Sequence, residues 1–201
     1  MKAIQVLLLV ILMTAASCVT IVKWKYGITK PREETPEKII SFLHQHKYPM
    51  AGQYIFTDST EYFQTIRNSV CRKYLLSHMI FNSKGTLLLR DTAKCQWSGY
   101  EIIKALSTDS VYKTVDGLQL GDILDLIRPL EEGQGQDTLR QQPDFTAIVT
   151  WATFLGSYND RLFDLEDAVK YNLTARIRLI WLNIDMQESW NLSKNQRMEI
   201  I

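Results

Sequence analysis

Two long apolar runs with an amphipathic segment between them limit what these 201 residues can fold into more than any other feature. Asp144–Trp151 (D-F-T-A-I-V-T-W) and Arg176–Ile184 (R-I-R-L-I-W-L-N-I) read as strands, the second almost continuously apolar with one Arg inside. Asp160–Tyr171 reads as a helix that buries Leu162, Phe163, Leu165, Ala168 and Val169. Strands that are apolar throughout belong to sheets covered on both faces. Two of them joined through a helix form a parallel pair with a right-handed crossover. The expected class is therefore α/β, with α+β as the variant in which the rest of the sheet is antiparallel.

The turn between the first strand and the helix is specific. Trp151–Asn159 reads W-A-T-F-L-G-S-Y-N. A strand, a tight Gly turn and a helix, with Trp151, Ala152 and Gly156 in these places, resembles the thioredoxin-like family, whose pattern is W-A-x-W-C-G-P-C-K. The match runs over about residues 144–190, and Asp185 stands where the family's second strand often ends in Asp. The resemblance implies a three-layer fold, a central sheet with flanking helices, of the membrane-tethered bacterial type. It also implies that the dithiol is missing: Leu155 and Tyr158 occupy the two cysteine positions and Ser157 the proline position. The family's substrate-side proline follows the second strand, and no proline follows Pro143. Sixteen residues after Asp185 are too few for the closing hairpin, so the hairpin at Ser77–Arg90 would have to supply it from upstream, as in a permuted fold. Leu155, where the family has an exposed cysteine, is then either covered by the chain's own N-terminal half or part of an apolar patch that takes a partner.

The chain divides into five stretches. Residues 1–22 contain Ile4–Val22, nineteen residues without a charge, which as a helix rise ~28 Å, close to the thickness of a bilayer core. Three readings stay open: an uncut transmembrane anchor, a signal peptide ending in the lipobox-like Ala15-Ala16-Ser17-Cys18 with Cys18 lipidated, or a secreted soluble form. Lys23, Lys25, Lys30 and Arg32 after the segment argue for a cytoplasmic body, whereas the single Lys2 before it is how exported chains begin. The extracytoplasmic or periplasmic face is favoured. Residues 23–34 read as a stalk, with Trp24 between Lys23 and Lys25 suited to a membrane interface.

Residues 35–130 form an N-terminal α/β region. Thr35, Pro36 and Glu37 start a helix that fades at His46-Lys47. Gln53–Asp58 is a strand, Thr60–Leu75 a helix, and Ser77–Phe81 with Thr86–Arg90 a hairpin around Asn82–Gly85. Ala93–Trp97 extends that hairpin, Gly99–Leu106 is a short helix, Val111–Val115 a strand and Leu118–Ile127 a helix stopped by Pro129. Residues 131–143 are a polar linker with two glycines, and 144–201 carry the strand–helix–strand unit.

Chemistry is sparse. Disulfide exchange needs a thiolate and a resolving sulfur, and Leu155 and Tyr158 provide neither. With Cys18 in or on the membrane, Cys71 and Cys95 remain, either as a disulfide closing a loop of about 25 residues or as two unrelated buried thiols. His44 and His46 fall on different faces of a helix end and have no third ligand, so no metal site is expected. No phosphate-cradling loop or nucleophile elbow occurs. A net charge of +1 gives no field for nucleic acid, and no cofactor is implied. Asn172-Leu-Thr174 and Asn191-Leu-Ser193 match glycosylation sequons, which mean little in a bacterium. The expected function is a non-catalytic, membrane-tethered binding or accessory protein of the cell envelope with an unidentified protein partner. The alternative is a thiol-disulfide oxidoreductase that uses Cys71 and Cys95 or a cysteine-bearing partner.

Overall fold

The apolar run that ends at Trp151 becomes the middle strand of the sheet. The computed structural model describes residues 18–67, 78–89, 99–131 and 142–198. In chain order the elements are α1 (Cys18–Tyr26), β1 (Glu33–Glu34), α2 (Pro36–His46), β2 (Gln53–Phe56), α3 (Ser59–Arg67), β3 (His78–Asn82), β4 (Thr86–Leu88) and α4 (Gly99–Lys104). Then come β5 (Thr114–Gln119), α5 (Leu120–Leu124), β6 (Ile127–Pro129), β7 (Phe145–Trp151), α6 (Tyr158–Phe163), α7 (Leu165–Lys170), β8 (Ile177–Asn183), β9 (Met186–Gln187) and α8 (Lys194–Met198).

Among the described residues seven strands form one sheet in the order β5-β4-β3-β7-β8-β2-β6. β7 and β8 are parallel over their whole length, Phe145 opposite Ile177 and Trp151 opposite Asn183, as the two apolar runs require. β2 continues the parallel set beside β8. On its other side β7 pairs antiparallel with β3, and β3 with β4. The upstream hairpin thus lies next to the middle strand, although it precedes that strand in the chain.

Successive residues of a strand point to opposite faces, and both faces of this sheet are covered. On one, Trp151 lies over Phe42 of α2 and Phe163 of α6, with ring centroids 6.0 and 5.4 Å apart, and Trp181 lies 4.8 Å from Phe163. On the other, Phe56 meets Tyr62 of α3 edge-on at 5.3 Å. The result is a mixed α/β fold in three layers. All seven residues of β7 are buried, including Thr146 and Thr150. Phe145, Ile148 and Trp151 of β7 and Ile180 and Leu182 of β8 are all buried.

Local signals placed α2 well. Thr35 caps it by accepting a hydrogen bond from the Lys38 N–H at 3.3 Å, and Lys47 ends it in the left-handed conformation. Two expected helices differ. Asp160–Tyr171 is two short helices that meet at Asp164. Phe163 and Leu165 are both buried, yet they stand about 200° apart on one straight helix, so the axis has to step between them. Leu118–Ile127 keeps only α5 as helix, because its ends are taken by pairing. Leu118 and Gln119 belong to β5, and Ile127–Pro129 forms β6 against β2. A hydrogen bond from the Gln119 N–H to Asp122 at 2.8 Å starts α5 after the strand. Pro129 is tolerated because β6 is an edge strand.

Among the described residues no helix is long and apolar enough to cross a membrane. Most of Ile4–Val22 lies outside them, as do Cys71, Cys95, Ala93–Trp97 and most of the 131–143 stretch.

Ile148 is fully buried at the centre of the sheet, and Ile148→Ala is expected to cost ~2–5 kcal/mol in a denaturant unfolding measurement.

Candidate functional site at the carboxyl end of the parallel strands

Open parallel sheets present their binding crevices at the carboxyl ends of their strands. In this chain that end carries the Trp151–Asn159 turn after β7 and the Ile184–Gln187 segment after β8. A short 3-10 turn, Thr153–Leu155, follows the strand, and Gly156 closes it with φ +56° and ψ −138°. This left-handed region favours glycine over any residue with a Cβ. Ser157 then leads into α6, and Asn159, wholly buried, donates its side-chain N–H to the Ala152 carbonyl at 2.8 Å.

Leu155, Gly156, Ser157 and Tyr158 therefore sit together at this turn, and the N-terminal arm lies across them. The Thr29 N–H donates to the Phe154 carbonyl at 2.9 Å, and the Ser157 N–H to the Tyr26 carbonyl at 2.9 Å. Tyr26 also packs edge-on against Tyr158, centroids 5.5 Å apart, and under the Arg161 guanidinium at 5.4 Å. A Cβ on Gly156 would fall far inside contact distance of the Tyr26 carbonyl oxygen and 2.8 Å from that of Gly27. Farther along, β1 pairs parallel with β9, Glu34 opposite Gln187. Of the two environments expected for Leu155, the structure has the first: the side chain is 4% exposed, and the chain's own N-terminal segment covers the turn. A partner patch centred on Leu155 is ruled out in this state. Among the thiols, Cys18 is the first residue of α1.

Beneath the arm sits a carboxylate. Asp185 is 1% exposed. Its side chain accepts hydrogen bonds from the Thr153 N–H at 2.8 Å, the Thr153 hydroxyl at 3.0 Å and the Asn183 amide at 2.8 Å. Burial raises its pKa to about 6 against the pull of those three donors, and nearby Glu34 adds to the rise. Glu34, itself buried, is paired with Arg32 at 2.9 Å. The Tyr62 hydroxyl donates to the Ile184 carbonyl at 3.2 Å, and burial together with Asp185 pushes its pKa upward. The sequence showed Asp185 at a strand end. It gave no sign that Glu34, 151 positions upstream, would share its surroundings, because strand pairing alone places β1 there.

This arrangement has hydrogen-bonding capacity, and its Thr153 and Ser157 hydroxyls are both engaged in hydrogen bonds. Ser157 bonds back to the arm through its hydroxyl at 3.3 Å. His46 lies between the rings of Phe42 and Tyr48, and His78 is buried in β3. Among the described residues no three His, Cys, Asp or Glu side chains are grouped to hold a metal ion. Asn172 of the first sequon is buried and donates to the carbonyls of Ile103 and Leu106 at 2.9 and 2.8 Å, so it is a structural amide. No protein-family model matches this chain, no curated protein matches it, and no solved structure matches it.

Two outcomes are expected. Leu155→Ser should destabilise about as much as Ile148→Ala, ~2–5 kcal/mol, since both side chains are core; a loss below about a quarter of that would show that the arm does not cover the turn in solution. Asp185 has a native pKa of about 6 against roughly 3.9 in an unfolded chain. The native state therefore binds the extra proton between these values, and stability rises as pH falls through 6 towards 4 by roughly 2–3 kcal/mol. Asp185→Asn should flatten that part of a stability profile measured from pH 8 to 4.

Proposed function

We propose that the chain is a non-catalytic, thioredoxin-like protein of the bacterial cell envelope, tethered by its N-terminal segment and acting by binding rather than by thiol exchange. The observation that carries this reading is the position of the Gly156 turn. It follows the middle strand of the sheet, with a parallel neighbour reached through helices on one side and an antiparallel hairpin on the other. That is the neighbourhood the family gives its dithiol, and the residues at the sulfur positions are Leu155 and Tyr158. The upstream hairpin supplies the antiparallel part, in keeping with a permuted version of the fold. Attachment rests on the uncharged run Ile4–Val22 and the interface-type Trp24, which is 87% exposed on α1. Since the chain's own arm occupies the turn, a protein partner has to bind elsewhere or displace the arm.

The full-length protein should sediment with membranes, and in detergent it should reduce insulin with dithiothreitol no faster than background. Insulin turnover at the rate of an ordinary thioredoxin, lost in Cys71→Ser, would replace this reading by the oxidoreductase that uses Cys71 and Cys95. Cys18→Ala separates the modes of attachment, since a lipoprotein loses its anchor and a transmembrane segment keeps it.

A further inference from the structure

The arm that closes the carboxyl end of the sheet is attached almost without apolar burial. Of residues 26–34 only Glu34 is buried, and among the described residues the apolar core takes no side chain from this stretch. Its attachments are polar or aromatic. They include the two backbone hydrogen bonds that join Tyr26 and Thr29 to the turn, the edge contact of Tyr26 with Tyr158, and the two-residue pairing of β1 with β9. The Arg197 guanidinium of α8 meets Glu33 at 2.9 Å, in reach of water, and exposed ion pairs contribute little. A segment with so few buried apolar contacts belongs to the low end of local opening energies. Its far end is the start of α2, where Thr35 is the cap.

What lies beneath the arm works against closure. Two carboxylates, Asp185 and Glu34, are buried there together. Arg32 is matched to Glu34, whereas Asp185 is held only by the neutral donors of Thr153 and Asn183. From α3 it is faced by Tyr62, which burial keeps neutral. The neighbouring charges of Lys38 and Glu188 are paired with each other at the surface, 3.9 Å apart. Gln187 stands opposite Glu34 in the register, and its buried side-chain oxygen has no hydrogen-bond partner among the described residues. A buried acceptor without a donor costs free energy that water restores. Lifting the arm hydrates all of these groups at once.

We propose that residues 26–34 are a displaceable strap that swings away as one unit about the start of α2, uncovering the Leu155–Tyr158 turn and Asp185, with the charge on Asp185 favouring the open position. The strap is a property of the fold and does not depend on the thioredoxin-like reading. In the closed position burial holds the Asp185 pKa at about 6. Hydrated in the open position, the carboxyl returns towards roughly 3.9. The closed state therefore binds the extra proton, and a rise in pH through 6 drives opening. Between pH 5 and pH 8 this linkage amounts to about a tenfold change in the opening constant.

Amide hydrogen exchange of the full-length chain in detergent, followed by NMR, reads two donors on opposite sides of this contact. The Thr29 N–H belongs to the strap and the Ser157 N–H to the turn. After correction for intrinsic rates both should report one opening constant, at least about a hundredfold larger than that of the β7 amides. It should be about tenfold larger at pH 8 than at pH 5. That ratio should fall to near one in Asp185→Asn, whose side chain can still bond to Thr153 and Asn183. Gly156→Ala places a methyl group against the Tyr26 and Gly27 carbonyls and should hold the strap open, removing protection at Thr29 while β7 keeps its own. The wild-type rates decide the matter even where that variant does not fold. Exchange of Thr29 and Ser157 only as slowly as β7 overturns the proposal, and so do opening constants at the two donors that differ by more than about tenfold. A pH ratio that survives in Asp185→Asn overturns the part given to that carboxylate.

Discussion

The structure depends on a single buried strand that is paired in opposite senses on its two sides. β7 is parallel to β8 and antiparallel to β3, and all seven of its residues are buried. A strand in that position cannot be moved by one residue without exchanging its faces, and its faces are not equivalent. Trp151 is stacked with Phe42 and donates to Gln53 at 2.9 Å on one side, while Ile148 and the buried threonines lie on the other. The register of β7 fixes where the Gly156 turn emerges, and with it the carboxyl end of the sheet.

What the chain does with that end is unusual. A loop at the carboxyl end of parallel strands is normally the most accessible chemistry of such a fold. This one is closed by residues 26–34, held by two backbone hydrogen bonds, an aromatic contact and a short parallel pairing. Glycine at 156 permits the closure, since any side chain there would meet the Tyr26 and Gly27 carbonyls. The closure also explains the buried polar cluster. Once the arm covers the strand ends, Asp185 loses water, and three donors from Thr153 and Asn183 replace it in part. The result is a carboxylate whose charge is tolerated and whose proton affinity is raised.

The margin beside β8 is left uncovered. β2 joins β8 only from Trp181 onward, which leaves a notch of about 530 Å³ beside Ile177–Ile180. Uncovered sheet edges are often guarded by charged side chains, and Arg176, joined to Asp144 by three hydrogen bonds through its backbone and guanidinium, fits that role. Arg178 differs, because its guanidinium is directed to a buried threonine within the sheet.

The strand–helix–strand unit, the cap of α2, the β3–β4 hairpin and the Gly turn were all legible in the sequence, because each is set by forces that act over a few residues: alternation, capping and turn chemistry. The sequence also determined that Leu155 and Tyr158 bring no thiol to this turn in any fold. The break at Asp164 and the pairing of Ile127–Pro129 as a strand, of which Ile127 was expected to end a helix, were not legible, since apolar spacing does not reveal which residues a distant strand will pair with. The order of the sheet, the arm over Leu155, the company of Glu34 and Asp185, and the notch beside β8 were decided only by tertiary structure. All four are contacts between segments far apart in the chain, and their energies come from pairing and desolvation that no local pattern records.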